Sequence, residues 1–218
     1  MVSTEERIKA LATYLGVEED EITEGYRDDI FEVNGEEYLV VDDDEADEIV
    51  EDDIESLIDD VGLEAFTPVM QDWILYNAID NTNWFDEALE EDMNYYVDDL
   101  SDEELVNEAI NYGVIDEDDA YVEDEDGNEE INPELDIEDL GEKLVQALVD
   151  DKSDAYEWYV ESFGEKSVRD LIKDGTITLD YQAIAEECIR WNGRGNSLAS
   201  YDGDEIELDN GLYAYRIN

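Results

Sequence analysis

Residues 30–61 read IFEVNGEEYLVVDDDEADEIVEDDIESLIDDV, and this stretch carries the two strongest local signals in the chain. Asn34-Gly35 lies between apolar runs and predicts a hairpin, because a type I′ turn needs positive φ at both central residues. The flanking strands are expected at about residues 29–33 and 36–41. An acidic segment follows, with twelve Asp or Glu among the nineteen residues 42–60 and no Lys or Arg.

The acidic segment is predicted to be an amphipathic helix that Asp42 or Asp43 caps. Its apolar residues recur at the three-and-four spacing of one buried helical face, namely Ala46, Ile49, Val50, Ile54, Leu57, Ile58 and Val61. The acids are therefore expected on the outer face of a docked helix, and a disordered tail is not expected.

Outside this stretch, helix signals dominate. Ser3 with Glu6 predicts a capping box for a first helix that ends near Gly16, and Thr67-Pro68 predicts a helix start with Val69 and Trp73 in its core face. Further helices are expected near residues 84–96, 102–112, 136–149, 154–163, 165–174 and 180–191.

The remaining segments predict strands. Residues 197–218 read as three short strands joined at Asp202-Gly203 and Asn210-Gly211, and residues 121–132 are either a second hairpin or an acidic loop. The expected fold class is α+β, with several amphipathic helices packed against a small antiparallel sheet. That sheet is built from the N-terminal Asn-Gly hairpin and the C-terminal strands.

Charge is distributed unevenly along the 218 residues, which contain 69 acids and 11 bases for a net charge of −58. A hydrophobic fraction of 42% is nevertheless enough for a folded core. Residues 28–142 hold 46 acids and no base, whereas residues 143–218 hold 16 acids and 8 bases. This predicts a strongly acidic α+β region over 1–135 and a less acidic helical region ending in a β meander over 136–218, as two domains or one continuous domain.

The sequence lacks the residues that most catalytic sites and metal sites require. Histidine is absent and Cys188 is the only cysteine, so nucleophile–histidine pairs and Cys- or His-based metal sites cannot form within the chain. EF-hand spacing fails at both Gly127 and Gly203, and no phosphate-binding glycine loop occurs. Pairs of carboxylates carry no catalytic signal when 69 acids are present. We expect no enzyme activity, no cofactor and no dedicated metal site.

Other residues that invite functional readings are better explained as core. The aromatic residues of 83–96 and 156–163 fall at helical spacing, and Cys188 is expected to be a small buried hydrophobe. No run of 18 apolar residues occurs and the N-terminal stretch is acidic, so neither a membrane span nor a signal peptide is expected. The expected location is the cytoplasm, of the host cell if the protein is phage-encoded.

Repulsion between the acids lowers the stability of the acidic helix. Six i,i+4 pairs on it are like-charged, at roughly 1–3 kcal/mol in total: Asp43/Asp47, Asp44/Glu48, Asp47/Glu51, Glu48/Asp52, Glu51/Glu55 and Glu55/Asp59. Nineteen helical residues span about 28 Å, so twelve acids give about one charge per 2.4 Å, against about 1.7 Å for duplex DNA. A cationic protein groove that binds phosphates would attract such a surface.

The predicted partner-binding residues come from this helix and from residues 86–104, with possible extension into 116–130. They are Asp43, Asp44, Asp47, Glu48, Glu51, Asp52, Glu55, Asp59, Asp60, Glu87, Glu90, Glu91, Asp98, Asp99, Asp102 and Glu103. The expected partner is a basic nucleic-acid-binding host protein or complex. Direct binding to nucleic acid or to a membrane is not expected, because nucleic acids and anionic lipid surfaces would repel this acidic chain.

In size, charge, scarcity of bases and small α/β build, the chain resembles the acidic nucleic-acid-mimicking inhibitors of bacteriophages and mobile elements. Antirestriction and anti-CRISPR proteins are examples. The stretches RGNSLASYDGDEIEL and YAYRIN are also similar to the ends of small phage proteins. The resemblance implies a stoichiometric inhibitor that occupies the cationic nucleic-acid channel of a host defence or DNA-processing protein.

Three alternatives remain open at this level. A chaperone or carrier for a basic protein would need the same anionic surface. A halophile-adapted protein would also be acidic, although the base-containing residues 143–218 and the Tyr, Ile and Asn content argue against it. A virion or scaffold component would use the charge only to guide assembly.

Overall fold

The computed structural model describes residues 2–123, 129–152 and 154–218, and its α+β architecture confirms the predicted fold class. The α-helices of these residues are α1 (Thr4–Leu15), α2 (Asp43–Val61), α3 (Pro68–Asn77), α4 (Asn83–Asp98), α5 (Asp102–Asn111), α6 (Glu117–Ala120), α7 (Ile137–Asp151), α8 (Ala155–Phe163), α9 (Glu165–Lys173), α10 (Tyr181–Asn192) and α11 (Arg194–Leu198). Their strands are β1 (Thr23–Glu24), β2 (Ile30–Val33), β3 (Glu36–Asp42), β4 (Tyr121–Glu123), β5 (Glu129–Ile131), β6 (Glu205–Glu207) and β7 (Leu212–Arg216).

The Asn-Gly hairpin forms the centre of the main sheet. Asn34 has a φ of 53° and Gly35 a φ of 83°, so both central residues adopt the positive φ that the sequence predicts. All neighbouring strands are antiparallel, in the order β1-β2-β3-β7-β6. The C-terminal strands therefore join the hairpin in one sheet, as predicted. The two-residue strand β1 is too short to leave a sequence pattern.

The central strand β3 is buried on both of its faces. Val40 belongs to a buried cluster in which Leu11 of α1 packs with Phe31 and Leu212. Val41 is also buried, and successive side chains of a strand point to opposite faces of the sheet. Helix α2 follows β3 directly and packs against α10 and α11.

Contacts divide the chain into two compact units, Met1–Ile79 with Leu179–Asn218, and Asp80–Thr178. The division differs from the regions 1–135 and 136–218 that charge suggested, because the loss of acid density falls inside the second unit. Packing decides the units: α7 of the less acidic region lies against α4 and α5 of the strongly acidic one. The distribution of acids and bases along the sequence reflects exposed residues, so it does not report the helix contacts that define the two units.

The second unit is mostly helical. Val97 of α4, Leu105 of α5 and Leu144 of α7 share one buried cluster. Strand β4 pairs antiparallel with β5, so the two flanks of the second hairpin candidate do pair. Residues 124–128, which join these strands in sequence, lie outside the described residues.

The C-terminal segment differs from the prediction of three strands. Only β6 and β7 form in it, and the residues expected to begin the first strand belong to the end of α11. Gly195 explains part of the difference, because a Cβ at this position would lie 2.3 Å from the carbonyl oxygen of Gly203. The glycine allows α11 to lie directly on the following backbone, a long-range fit that no local pattern reports.

Several residues expected in the core are exposed. On α2 the buried face consists of Ala46, Val50, Ile54 and Ile58. These four residues recur at every fourth position. Leu57 and Val61 each precede a position of this series by one residue, which turns their side chains about 100° away from the buried face. They are 39% and 55% exposed.

Other core expectations also failed or held only in part. Val69 is exposed in the first turn of α3, and Cys188 is half-buried. In the predicted aromatic core, Phe85 is buried, but Tyr95, Tyr96 and Phe163 are exposed.

Candidate protein-binding surface

Helix α2 is anchored at its first turn by hydrogen bonds. Asp42 ends β3 and caps α2, with its Oδ1 accepting a hydrogen bond from the Glu45 backbone N–H at 3.0 Å. The Glu45 carboxylate accepts in return from the Asp42 N–H, also at 3.0 Å. This capping box joins the helix to the central strand without a linker, so the acidic face is mounted on the sheet.

An arginine from α1 strengthens this junction. Arg7 is 5% exposed and donates through Nη2 to both oxygens of Glu45, at 2.6 and 2.8 Å. Its Nη1 donates to the carbonyl oxygen of Val40 in β3. One buried guanidinium thus ties α1, β3 and α2 together, and it neutralises an acid that lies outside the predicted binding set.

A second arginine reaches α2 from α11. Arg194 Nη1 lies 2.7 Å from Asp43 Oδ1 and 3.3 Å from Asp47 Oδ1, and its Nε donates to Glu205 at 3.0 Å. The guanidinium also stacks over the ring of Tyr213, 4.8 Å from its centroid. The structure therefore corrects one prediction: the pair Asp43/Asp47 is bridged by a cation and is not a simple repulsive pair.

The remaining acids of the predicted set on α2 stay open to solvent. Among the described residues, no ion pair forms with Asp44, Glu48, Glu51, Asp52, Glu55, Asp59 or Asp60. All of these are exposed except Glu51, which is half-buried. In four of the six like-charged pairs neither acid forms an ion pair, and their repulsion is relieved only by solvent ions or a partner; the pairs Asp43/Asp47 and Asp47/Glu51 include an acid that Arg194 contacts.

The neighbourhood of α2 shows the effect of this charge on titration. Burial raises the pKa of Asp53, and the adjacent Asp52 charge adds to the increase. Across the helix interface, burial raises the pKa of Tyr181 at the start of α10, with Asp59 and Glu55 contributing. In both groups burial disfavours the charged form, and neighbouring acids of α2 add to the increase in pKa.

Helices α2 and α10 enclose a groove of about 300 Å³ in the first unit. The apolar side chains of Ala185 and Ile189 on α10 line it. Its acids are Asp44, Asp47, Glu48 and Glu51 of α2 and Glu186 of α10. The four α2 acids follow i, i+3, i+4 and i+7 spacing, which places them on one helical face. The sequence predicted the acids but gave no sign of the facing helix.

The second set of predicted binding residues lies in the other compact unit. Glu87, Glu90 and Glu91 are exposed on α4, while Asp98, Asp99, Asp102 and Glu103 surround the connection from α4 to α5. Ser101 caps α5 with a capping box to Glu104, so the acids of this first turn are stabilised by the helix dipole. The set is thus arranged as two acidic patches, one along α4 and one at this connection.

Exposed aromatic rings accompany the second set, although their helical spacing predicted that they belong to the core. Tyr95 is 79% exposed and Tyr96 is 43% exposed, both on α4. Burial raises the pKa of Tyr96, with the charge of Glu108 on α5 as the next contribution. The helical periodicity of α4 did not distinguish these two exposed tyrosines from the core, because the next residue, Val97, is buried.

The described part of the chain offers neither a metal-ligand cluster nor a membrane-spanning helix. There, no three acidic or cysteine side chains come close enough to hold a metal ion. No helix in that part is both long and apolar enough to cross a membrane. No protein-family model, curated protein or solved structure matches the chain.

Proposed function

We propose that this protein is a non-enzymatic mimic of DNA or RNA that inhibits a host defence or DNA-processing protein by occupying its cationic nucleic-acid channel. The observation that carries the proposal is α2, nineteen residues long, in which Asp44 and the acids from Glu48 to Asp60 form no ion pair among the described residues. A phosphate-binding groove is the protein feature that matches a rigid row of anions.

The mounting of α2 supports mimicry over a flexible acidic tail. A flexible chain would lose conformational entropy on binding, whereas a pre-organised helix keeps its charges at fixed spacing. The capping box and Arg7 fix the helix at the strand end, and Ala46, Val50, Ile54 and Ile58 bury its inner face. The repulsion among its acids is then relieved when a cationic partner binds.

Charge in the second unit supports a surface that extends beyond α2. The first unit has 34 acids and 6 bases, a net of −28, and the second has 35 acids and 5 bases, a net of −30. Either unit alone is therefore strongly anionic. The patches on α4 and at the α4–α5 connection would supply further contacts to the same class of partner.

Capture from a bacterial lysate at about 0.15 M salt tests the proposal. We expect the protein to retain a nucleic-acid-binding protein that duplex DNA or RNA displaces and that higher salt releases, because binding releases condensed ions. The variant D44N/E48Q/D52N/E55Q removes four charges from α2 and should lose the captured protein.

The matched control is D151N/E161Q/E165Q/D209N, which removes four exposed charges outside the predicted surface. It should retain the captured protein. Equal loss in both variants, or capture that is indifferent to duplex and to salt, contradicts the proposal. Comparable binding of several unrelated basic proteins would favour a chaperone for basic clients instead.

A further inference from the structure

The groove between α2 and α10 combines apolar and acidic lining residues. Ala185 and Ile189 provide an apolar floor, and five carboxylates surround it without any Lys or Arg among the lining residues. Its volume of about 300 Å³ lies at the small end of protein binding sites. It has the size for one long side chain and is too small for a secondary-structure element.

An ion pair beside the groove shows that acids of α2 can bind a guanidinium. Arg194 places its guanidinium on Asp43 and Asp47, an i,i+4 pair, at 2.7 and 3.3 Å. Asp47 also lines the groove, so the bound guanidinium stands at the groove's edge. One turn further along, Glu48 and Glu51 present carboxylates on the same face with no cation from the described chain.

The shape of the groove favours an organic cation over a metal ion. Within the described residues, no three carboxylates approach closely enough for metal coordination. A guanidinium carries donors in a planar fork that can reach separated carboxylates, while its aliphatic stem can cover apolar surface. A lysine ammonium is a compact point charge that would reach fewer of these oxygens.

We infer that this groove receives an arginine side chain of the partner protein, with the stem on Ala185 and Ile189 and the guanidinium between Glu48 and Glu51. The inference rests on the proposed function, because it names one specific contact within the proposed binding surface. An arginine bound in the groove would fix the position of the partner along α2, which a uniform row of charge could not do.

Calorimetric titration with a matched pair of short peptides tests the inference, one carrying arginine and the other lysine at the same positions. The wild-type protein should bind the arginine peptide more tightly. E48Q/E51Q should weaken arginine-peptide binding by about tenfold and remove the preference for arginine, since it deletes charge-assisted hydrogen bonds. D52N/E55Q, with the same charge loss on the same helix, should weaken both peptides equally and less.

A second pair of variants consists of one that fills the groove with an internal cation and one that serves as its control. Gln182 lines the groove from α10, so Gln182→Arg should place an intramolecular cation there and reduce arginine-peptide binding. Asn192→Arg adds the same charge to the same helix at a residue that does not line the groove, and it should have a smaller effect. Methyl NMR signals of Ala185 and Ile189 should shift with the arginine peptide in the wild-type protein, and circular dichroism should confirm that every variant is folded.

These experiments distinguish failure of the groove inference from failure of the proposal that the protein mimics nucleic acid. Equal effects of E48Q/E51Q and D52N/E55Q, no arginine preference, or unshifted Ala185 and Ile189 methyls overturn the groove inference. If duplex-competed capture from lysate survives in that case, the mimic proposal stands. If the arginine preference is found but no captured protein is displaced by duplex, arginine recognition stands and the mimic proposal fails.

Discussion

At the scale of single residues, two arginines decide how much of the α2 charge is available. Arg7 neutralises Glu45, and Arg194 bridges Asp43 and Asp47, so internal cations are concentrated on the first turn of the helix. Their partners are 38 and up to 151 positions away in sequence. Asp44 and the acids from Glu48 onward form no ion pair among the described residues and are left for solvent ions or a partner.

Replacing Arg194 with alanine should destabilise the first unit. The side chain is 13% exposed and satisfies Asp43, Asp47 and Glu205, so its loss leaves Glu205 without its guanidinium and restores repulsion on α2. We expect a loss of about 1–3 kcal/mol in the free energy of unfolding, measured by urea titration. Lys166→Ala removes an exposed i,i+4 pair and should change it little, so equal effects would contradict this role.

At the scale of elements, α2 combines a narrow buried stripe with a wide acidic face. The stripe follows every-fourth spacing, Ala46, Val50, Ile54 and Ile58, so it holds the helix with few side chains. A narrow stripe leaves more of the circumference for acids. It also leaves Leu57 and Val61 partly in solvent, where they add apolar surface beside the charge.

A matched pair of alanine substitutions tests which face of α2 is buried. Ile54 is 6% exposed and should cost about 2–4 kcal/mol of unfolding free energy when changed to alanine, through lost burial and a residual cavity. Leu57 is 39% exposed, and Leu57→Ala should cost less than about 1 kcal/mol. Urea unfolding followed by circular dichroism measures both, and a reversed order would contradict the orientation of the helix.

At the scale of the whole molecule, the net charge of −58 divides almost equally between the two compact units. The chain order conceals this, since bases are absent between Arg27 and Lys143. Arg190, Arg194 and Arg216 return to the first unit with its C-terminal segment. Each unit must therefore fold against its own self-repulsion.

Salt should stabilise the protein as a consequence. Raising NaCl from about 0.01 to 0.2 M shortens the screening length from about 30 Å to below 10 Å, which weakens repulsion between exposed acids. We expect the melting temperature in differential scanning calorimetry to rise over this range. The rise should be smaller for D44N/E48Q/D52N/E55Q, and a melting temperature independent of salt would contradict dominant self-repulsion.

Local sequence patterns determined much of this protein. The Asn34-Gly35 turn, the capping boxes and the helical periodicities predicted the hairpin, nine of the eleven described α-helices or their starts, and the acidic outer face of α2 within a few residues, α6 and α11 being the exceptions. These signals succeed because turn geometry and helix caps depend on residues at most four positions apart.

Only the tertiary structure decided which acids remain available. It brought Arg7 and Arg194 to the first turn of α2, placed α10 opposite Glu48 and Glu51, and divided the chain at Ile79 and Leu179. Ion pairs and grooves join residues distant in sequence, so their geometry is set by packing and no local period encodes it. The sequence alone determined a dense row of acids, and the fold alone turned part of that row into a shaped groove.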